Sequence, residues 1–193
     1  TTLVSNQDFL KFVQAWGYKK ARYWTAEGRQ WLDYTQSQHP KFWRTTLSGK
    51  FLQRNLFSEM PLPMDWPVEV NYLEAKAYCN WMRECIGEPV RLPVEAEWSA
   101  LRLSELGEGS GEGNINLDQY ASSCPVTVNR HGRLYDVTGN VWQWTESPID
   151  GYPGFNVHPW YDDFSTPTFD GKHNLIKGGS WISTGNETLA SSR

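Results

Sequence analysis

Thiols, imidazoles and long apolar runs are all scarce in this chain. Its 193 residues include three cysteines, Cys79, Cys85 and Cys124, and four histidines, His39, His131, His158 and His173. An odd count of thiols argues against a disulfide framework. Cys79 and Cys85 stand six residues apart on an expected helix. They therefore point to different faces and make poor metal partners. Buried free thiols in a reducing compartment are the expectation. No apolar run is long enough to span a bilayer, and no charged-then-apolar stretch opens the chain, so no membrane partner and a cytoplasmic location are expected. Charge is sparse as well. Charged residues make up 21% and the formal net charge is −4, which offers nothing to nucleic acid or an anionic surface.

The few histidines also limit metal chemistry. A non-haem iron site usually takes two histidines and a carboxylate. His158 and His173 with Asp162, Asp163 or Asp170 supply those types, yet no pair has the His-x3-His spacing of a helical site. Surface or hydrogen-bonding roles are the expectation for them. Nucleophilic catalysis finds no better footing. Ser180 and Ser183 lie near glycines, but no strand–elbow–helix signature surrounds them.

What is abundant is tryptophan. Eleven tryptophans and 15% aromatics suit an aromatic core, an aromatic-lined cleft, or both. The length suits one domain with a real core, and residues 1–193 read as a single unit. Both ends read as cut, with no initiator methionine, so a fragment of a longer protein is expected.

Local signals place several helices. Ser5 and Asp8 resemble a capping box, and Phe9, Phe12, Val13 and Trp16 follow on one face until Gly17. Thr25 is the cap of a second helix carrying Trp31, Leu32 and Tyr34, ending before His39-Pro40. Residues 41–64 read as irregular chain with a short strand at most. Asn71 caps a third helix with Glu74 at the box position and Leu73, Ala77, Trp81 and Cys85 as its apolar stripe; Gly87 and Pro89 close it. Pro93 opens a fourth, with Glu95 and Glu97 in the first turn, where the helix dipole favours acids. Gly107 to Gly113 lacks the lysine–serine tail of a phosphate loop and reads as a surface connection. Short extended pieces at 125–129, 141–146 and 175–182 follow. Helices early and short strands late make the fold class α+β.

The last third interleaves glycine, tryptophan and small polar residues in Gly139–Thr145, His158–Phe164 and Gly178–Glu187. Loops of this kind are where a rigid fold displays a site. Tyr161 stands there between aromatics and two aspartates. A phenol, with a pKa near ~10, can donate a proton or hydrogen bond at neutral pH. Composition alone also allows it to be a packing residue.

Three motifs now carry a resemblance. Arg91-Leu-Pro-Val-Glu-Ala-Glu-Trp98, Tyr135-Asp-Val-Thr-Gly-Asn-Val-Trp-Gln-Trp144 and Gly178-Gly-Ser-Trp181 resemble the sulfatase-modifying-factor family. That family has the formylglycine-generating-enzyme fold, a C-type-lectin-like α+β architecture with little regular secondary structure, here truncated at both ends. The resemblance runs from Ser5 to the end of the chain. Formylglycine-generating members carry two cysteines just after the third motif and bind copper with them. Here Ser183–Thr188 holds no thiol, and hydroxyls do not replace soft thiolates for Cu(I).

Trp66–Asn71, Gly154–His173 and Gly179–Glu187 are more similar to another branch, the sulfoxide synthases of thiol-histidine biosynthesis, and among them to the ovothiol-pathway 5-histidylcysteine sulfoxide synthases. The resemblance implies O2-dependent coupling of cysteine sulfur to a histidine imidazole at non-haem Fe(II). It places the assisting tyrosine on Tyr161, a site-lining aromatic on Phe164, and pocket support on Trp142, Trp144, Trp181 and Asn186. It also implies that the iron is held by a His-x3-His-x-Glu motif in a DinB-like helical domain, absent from this sequence, as is the methyltransferase domain that usually follows. The fragment alone is therefore expected to be inactive. A family calcium site, made of main-chain carbonyls and an acid, falls by resemblance on Asp136, Gly139, Val141 and Gln143. Gln143 stands where a glutamate is typical, and Ca2+ prefers hard oxygens with at least one carboxylate. A lectin-like binding or scaffold module without catalysis is the alternative reading.

Overall fold

A computed structural model of the chain describes residues 1–107 and 112–193, and only the backbone of Phe164 and Ser165. The centre of the glycine- and acid-rich loop therefore lies outside the described residues, as does the Phe164 side chain.

Polar caps set the starts of the first helices. In α1 (Asn6–Gln14) the Ser5 hydroxyl accepts the Asp8 N–H at 3.2 Å. In α2 (Ala26–Thr35) the Thr25 hydroxyl accepts the Gly28 N–H at 3.0 Å. The expected box of α3 (Tyr72–Ile86) is complete: Asn71 Oδ1 accepts from Glu74 N at 2.9 Å, and Glu74 Oε2 accepts from Asn71 N at 2.9 Å. α4 (Glu95–Leu106) begins two residues later than Pro93, with Val94 N–H donated to Glu97 at 2.9 Å. Two expected face residues are corrected. Trp16 lies beyond the last turn of α1, at φ 63°, and is 60% exposed. Cys85 is exposed, so of the three free thiols only Cys79 and Cys124 are buried.

Residues 41–64, expected to be irregular, hold a three-stranded antiparallel sheet. β1 (Trp43–Thr45), β2 (Phe51–Arg54) and β3 (Glu59–Pro61) pair in sequence order. The second half has less regular structure. A hairpin of β4 (Arg130–His131) and β5 (Leu134–Tyr135) replaces the strand expected at 125–129. β6 (Gln143–Pro148) pairs antiparallel with β7 (Asn174–Lys177), bulged between Trp144 and Pro148. Between them lies the short α5 (Asp162–Ser165). The architecture is α+β, as expected.

The chain has two kinds of interior. The first is aromatic: Phe9, Phe12, Tyr18, Tyr23, Trp24, Trp43, Tyr78 and Trp81 form one cluster with Leu62 and Ala77. Phe9 stacks on Tyr78 at 5.3 Å and meets Phe12 edge-on at 5.2 Å. Gly17 closes α1 against this cluster, and a Cβ there would lie 2.2 Å from the Phe12 ring. The second interior is polar. Asn114, Asp136, Thr138, Asn140 and Thr145 are fully buried. The Asn140 amide takes the Cys124 N–H at 2.9 Å and donates to the Cys124 carbonyl at 3.1 Å. Lys177 is 1% exposed. It donates to the carbonyls of Ala190, at 3.0 Å, and Ser192, and stands 3.6 Å from Glu95. Asn140 and Lys177 are thus paired, as buried polar groups generally are, whereas Asn114 Oδ1 and Asp136 Oδ2 are buried without a hydrogen-bond partner among the described residues.

Candidate functional site

Trp142 immediately precedes β6 and Trp144 is its second residue. Trp144 is fixed by its N–H, donated to the Val70 carbonyl at 3.0 Å, and by the Tyr72 ring edge at 5.8 Å. Trp181 is fixed through its main chain. Its N–H reaches the Asn140 carbonyl at 3.0 Å, and its carbonyl accepts from Leu117 at 2.9 Å. All three tryptophans line one cleft of about 1200 Å³. Trp31 from α2, Phe42 and the segment 68–71 complete its walls. Ligand pockets commonly measure roughly 300–1,000 Å³, so the cleft has room for more than one small molecule.

Two acids enter the cleft, and they differ. Glu74 is spoken for: Tyr18 hydroxyl donates to Oε1 at 2.5 Å, and Oε2 belongs to the helix cap. Glu69 is shared with a neighbouring chamber of about 400 Å³ that also holds Arg54, Asn55 and Ser123. Burial pushes the Glu69 carboxyl up, against the Ser123 hydroxyl. Neither Glu69 nor Phe42 was singled out from the sequence. The available signal was a lone acid inside the apolar run Trp66-Pro-Val-Glu-Val.

Tyr161 and Asn186, also expected at the site, are not among the residues that line the cleft. Tyr161 precedes α5, with its N–H on the His158 carbonyl at 2.8 Å and its ring 5.7 Å from the His158 ring. It is 62% exposed, and its hydroxyl has no partner among the described residues. Asn186 is exposed in a short 3-10 turn, Gly185–Thr188, and does not line the cleft. Where thiols would follow the Gly-Gly-Ser-Trp motif, Ser183 Oγ accepts from Ser180 N at 2.9 Å and lies 3.2 Å from Ser180 Oγ.

The donor sets for metals fail on chemistry. Among the described residues, no three His, Cys, Asp or Glu side chains converge as a metal site. His158 Nδ1 accepts from the Trp160 N–H at 3.2 Å. His173 pairs with Asp170 at 3.0 Å and holds the Asp170 carboxyl at about 2. These residues do not fit iron. The expected calcium set fits no better. Gln143 turns its amide nitrogen, a donor, toward the Asp136 carbonyl at 2.8 Å. Asp136 Oδ1 is met by Asn129 Nδ2 at 2.9 Å while its Oδ2 is buried without a hydrogen-bond partner among the described residues, and burial pushes this carboxyl up. Ca2+ requires oxygens facing inward, not N–H groups.

Comparison with known proteins gives this geometry a context. Residues 1–193 match the model of the sulfatase-modifying factor enzyme 1-like domain. Hercynine oxygenase of Mycobacterium tuberculosis is 31% identical over 92% of this chain and 44% of its own length. Ergothioneine biosynthesis protein 1 of Schizosaccharomyces pombe is 25% identical over 92% of this chain and 21% of its own. The chain thus spans less than half of either relative. Among solved structures, Treponema denticola variable protein 1 shares the fold at a TM-score of 0.53 and 19% identity, over 67% of this chain and 65% of that one. The chain belongs to the sulfatase-modifying factor enzyme 1-like domain family.

Proposed function

We propose that this domain is part of an Fe(II)- and O2-dependent sulfoxide synthase that couples cysteine sulfur to a histidine imidazole carbon, giving the 5-histidylcysteine sulfoxide of ovothiol biosynthesis. The observation that carries this reading is the convergence of Trp142, Trp144 and Trp181 on one roomy cleft. It occurs in a chain 31% identical to a hercynine oxygenase. The reaction balances without a further reductant. A thiol S–H and an imidazole C–H are lost, one C–S and one S–O bond form, and O2 supplies the sulfoxide oxygen and one water.

Iron belongs to the proposal through the family, and no residue described here is assigned to it. In this reading it is held by a DinB-like helical domain of the same protein, which also covers Tyr161. This chain's own residues shape the cleft. The tryptophan faces offer stacking to a flat imidazole and displace water. Tyr161 donates a proton or hydrogen bond on the exposed loop that the helical domain completes.

The reading is tested in the full-length, iron-loaded protein supplied with cysteine, O2 and either histidine or hercynine. Free histidine should be the better acceptor, with the sulfoxide product identified by mass spectrometry. Tyr161→Phe should shift turnover from C–S coupling toward cysteine dioxygenation. An unchanged partition removes Tyr161 from the mechanism, and a preference for hercynine replaces the ovothiol assignment.

A further inference from the structure

The loop that leads into β6 turns through left-handed backbone at Asp136, Gly139 and Asn140, with φ of 51°, 75° and 63°. Glycine is required at the second of these, because a Cβ on Gly139 would lie 2.6 Å from the Asn114 carbonyl. The Gln143 side chain reaches back into this loop. Its nitrogen donates to the Asp136 carbonyl at 2.8 Å and to the Val137 carbonyl at 3.3 Å. Its oxygen accepts the Trp98 indole N–H at 3.1 Å. The orientation of the amide is unambiguous, since an indole N–H only donates and must face oxygen. The nitrogen is also closely seated: a Cβ on Gly178 would come within 2.8 Å of it.

We propose that the Gln143 amide takes the place of a cation in this loop. A metal holds such a turn by gathering carbonyl oxygens around a positive charge. Here one NH2 group offers its two hydrogens to two carbonyls and needs no ion. The loop before β6 is therefore closed by a side-chain clasp, anchored on α4 through Trp98, and calcium has no part in holding it. This inference rests on the clasp geometry and stands independently of the sulfoxide synthase reading.

Gln143→Glu tests it. The variant keeps an acceptor for Trp98 but sets a carboxylate oxygen against two carbonyl oxygens, an arrangement that a cation between them would relieve. Equilibrium dialysis of the full-length protein against radioactive calcium at about 1 mM, in the range of weak protein sites, compares the two chains. The expected result is an additional calcium per chain in the variant, and equal counts overturn the proposal. If the variant folds only when calcium is added, that supports the proposal, whereas failure to fold even with calcium overturns it. Gln143→Met keeps the length and loses both donors. It should lower the thermal midpoint by roughly 2–8 °C with the calcium count unchanged, and an unaltered midpoint also overturns the clasp.

Discussion

Arg91 and Glu97 are each about half exposed, and exposed pairs usually contribute little. This one is forked, with Arg91 donating to the two Glu97 oxygens at 2.7 and 2.6 Å. The fork, with the Val94 N–H added, holds the Glu97 carboxyl at about 2. A carboxyl lowered in the folded state contributes stability that is present above the free-glutamate value of 4.5 and lost as pH falls through about 2. An NMR titration of Glu97 should therefore find a midpoint near 2, returned toward the free value by Arg91→Ala. A native midpoint near 4.5 would count against the fork. The sequence placed Glu97 correctly in a first helical turn but credited the dipole. The fork was not legible, because nothing in the spacing says that Arg91 folds back across Pro93. Trp16 failed for a related reason. Its spacing from Phe12 suits a helix face, but the helix ends before it, and Gly17 must pass over the Phe12 ring.

At the scale of elements, α3 was the most legible because its start depends on two residues three places apart. Asn71 and Glu74 exchange both bonds of the box, and Tyr18 locks Glu74 from outside the helix. Asn71→Ala should cost about 0.5–2 kcal/mol, measured as a lowered urea midpoint with an unchanged slope. A loss below that range would mean that the Tyr18 bond alone holds the helix start. The sheet of β1, β2 and β3 was missed for the opposite reason. Only Trp43 and Gln53 of its residues are buried, so no alternation announces it, and pairing rather than pattern makes the strands. Downstream, β6 overlaps the stretch expected at 141–146, but β7 covers only the first three residues of the one expected at 175–182, because the chain turns through Gly178 and Gly179 at φ 91° and 75°.

At the scale of the whole molecule, the cleft joins residues from Trp31 to Ile182, and no local period can announce a site spread so widely. Motif resemblance pointed to three of its tryptophans but also to Tyr161 and Asn186, which do not line it. The cleft makes a direct functional prediction. If the proposed sulfoxide synthase reading holds, Trp181→Ala in the full-length protein should raise the KM for the histidine acceptor about tenfold, equivalent to ~1.4 kcal/mol, with a smaller change in kcat. A KM that does not move would show that substrate binds away from this wall.

The contrast between the two interiors has a consequence for how the chain can change. In the aromatic cluster around Phe12, one ring touches several others, and swaps that keep volume usually cost less than about 1.5 kcal/mol. Many spellings satisfy that half. Asn140, which grips both the N–H and the carbonyl of Cys124, has no substitute that offers a donor and an acceptor at the same reach. Gly139, where a Cβ would meet the Asn114 carbonyl, is bound in the same way to one residue. The polar half must therefore be copied where the aromatic half can be rewritten, which is why Tyr135–Trp144 reads as a motif and the larger aromatic core does not.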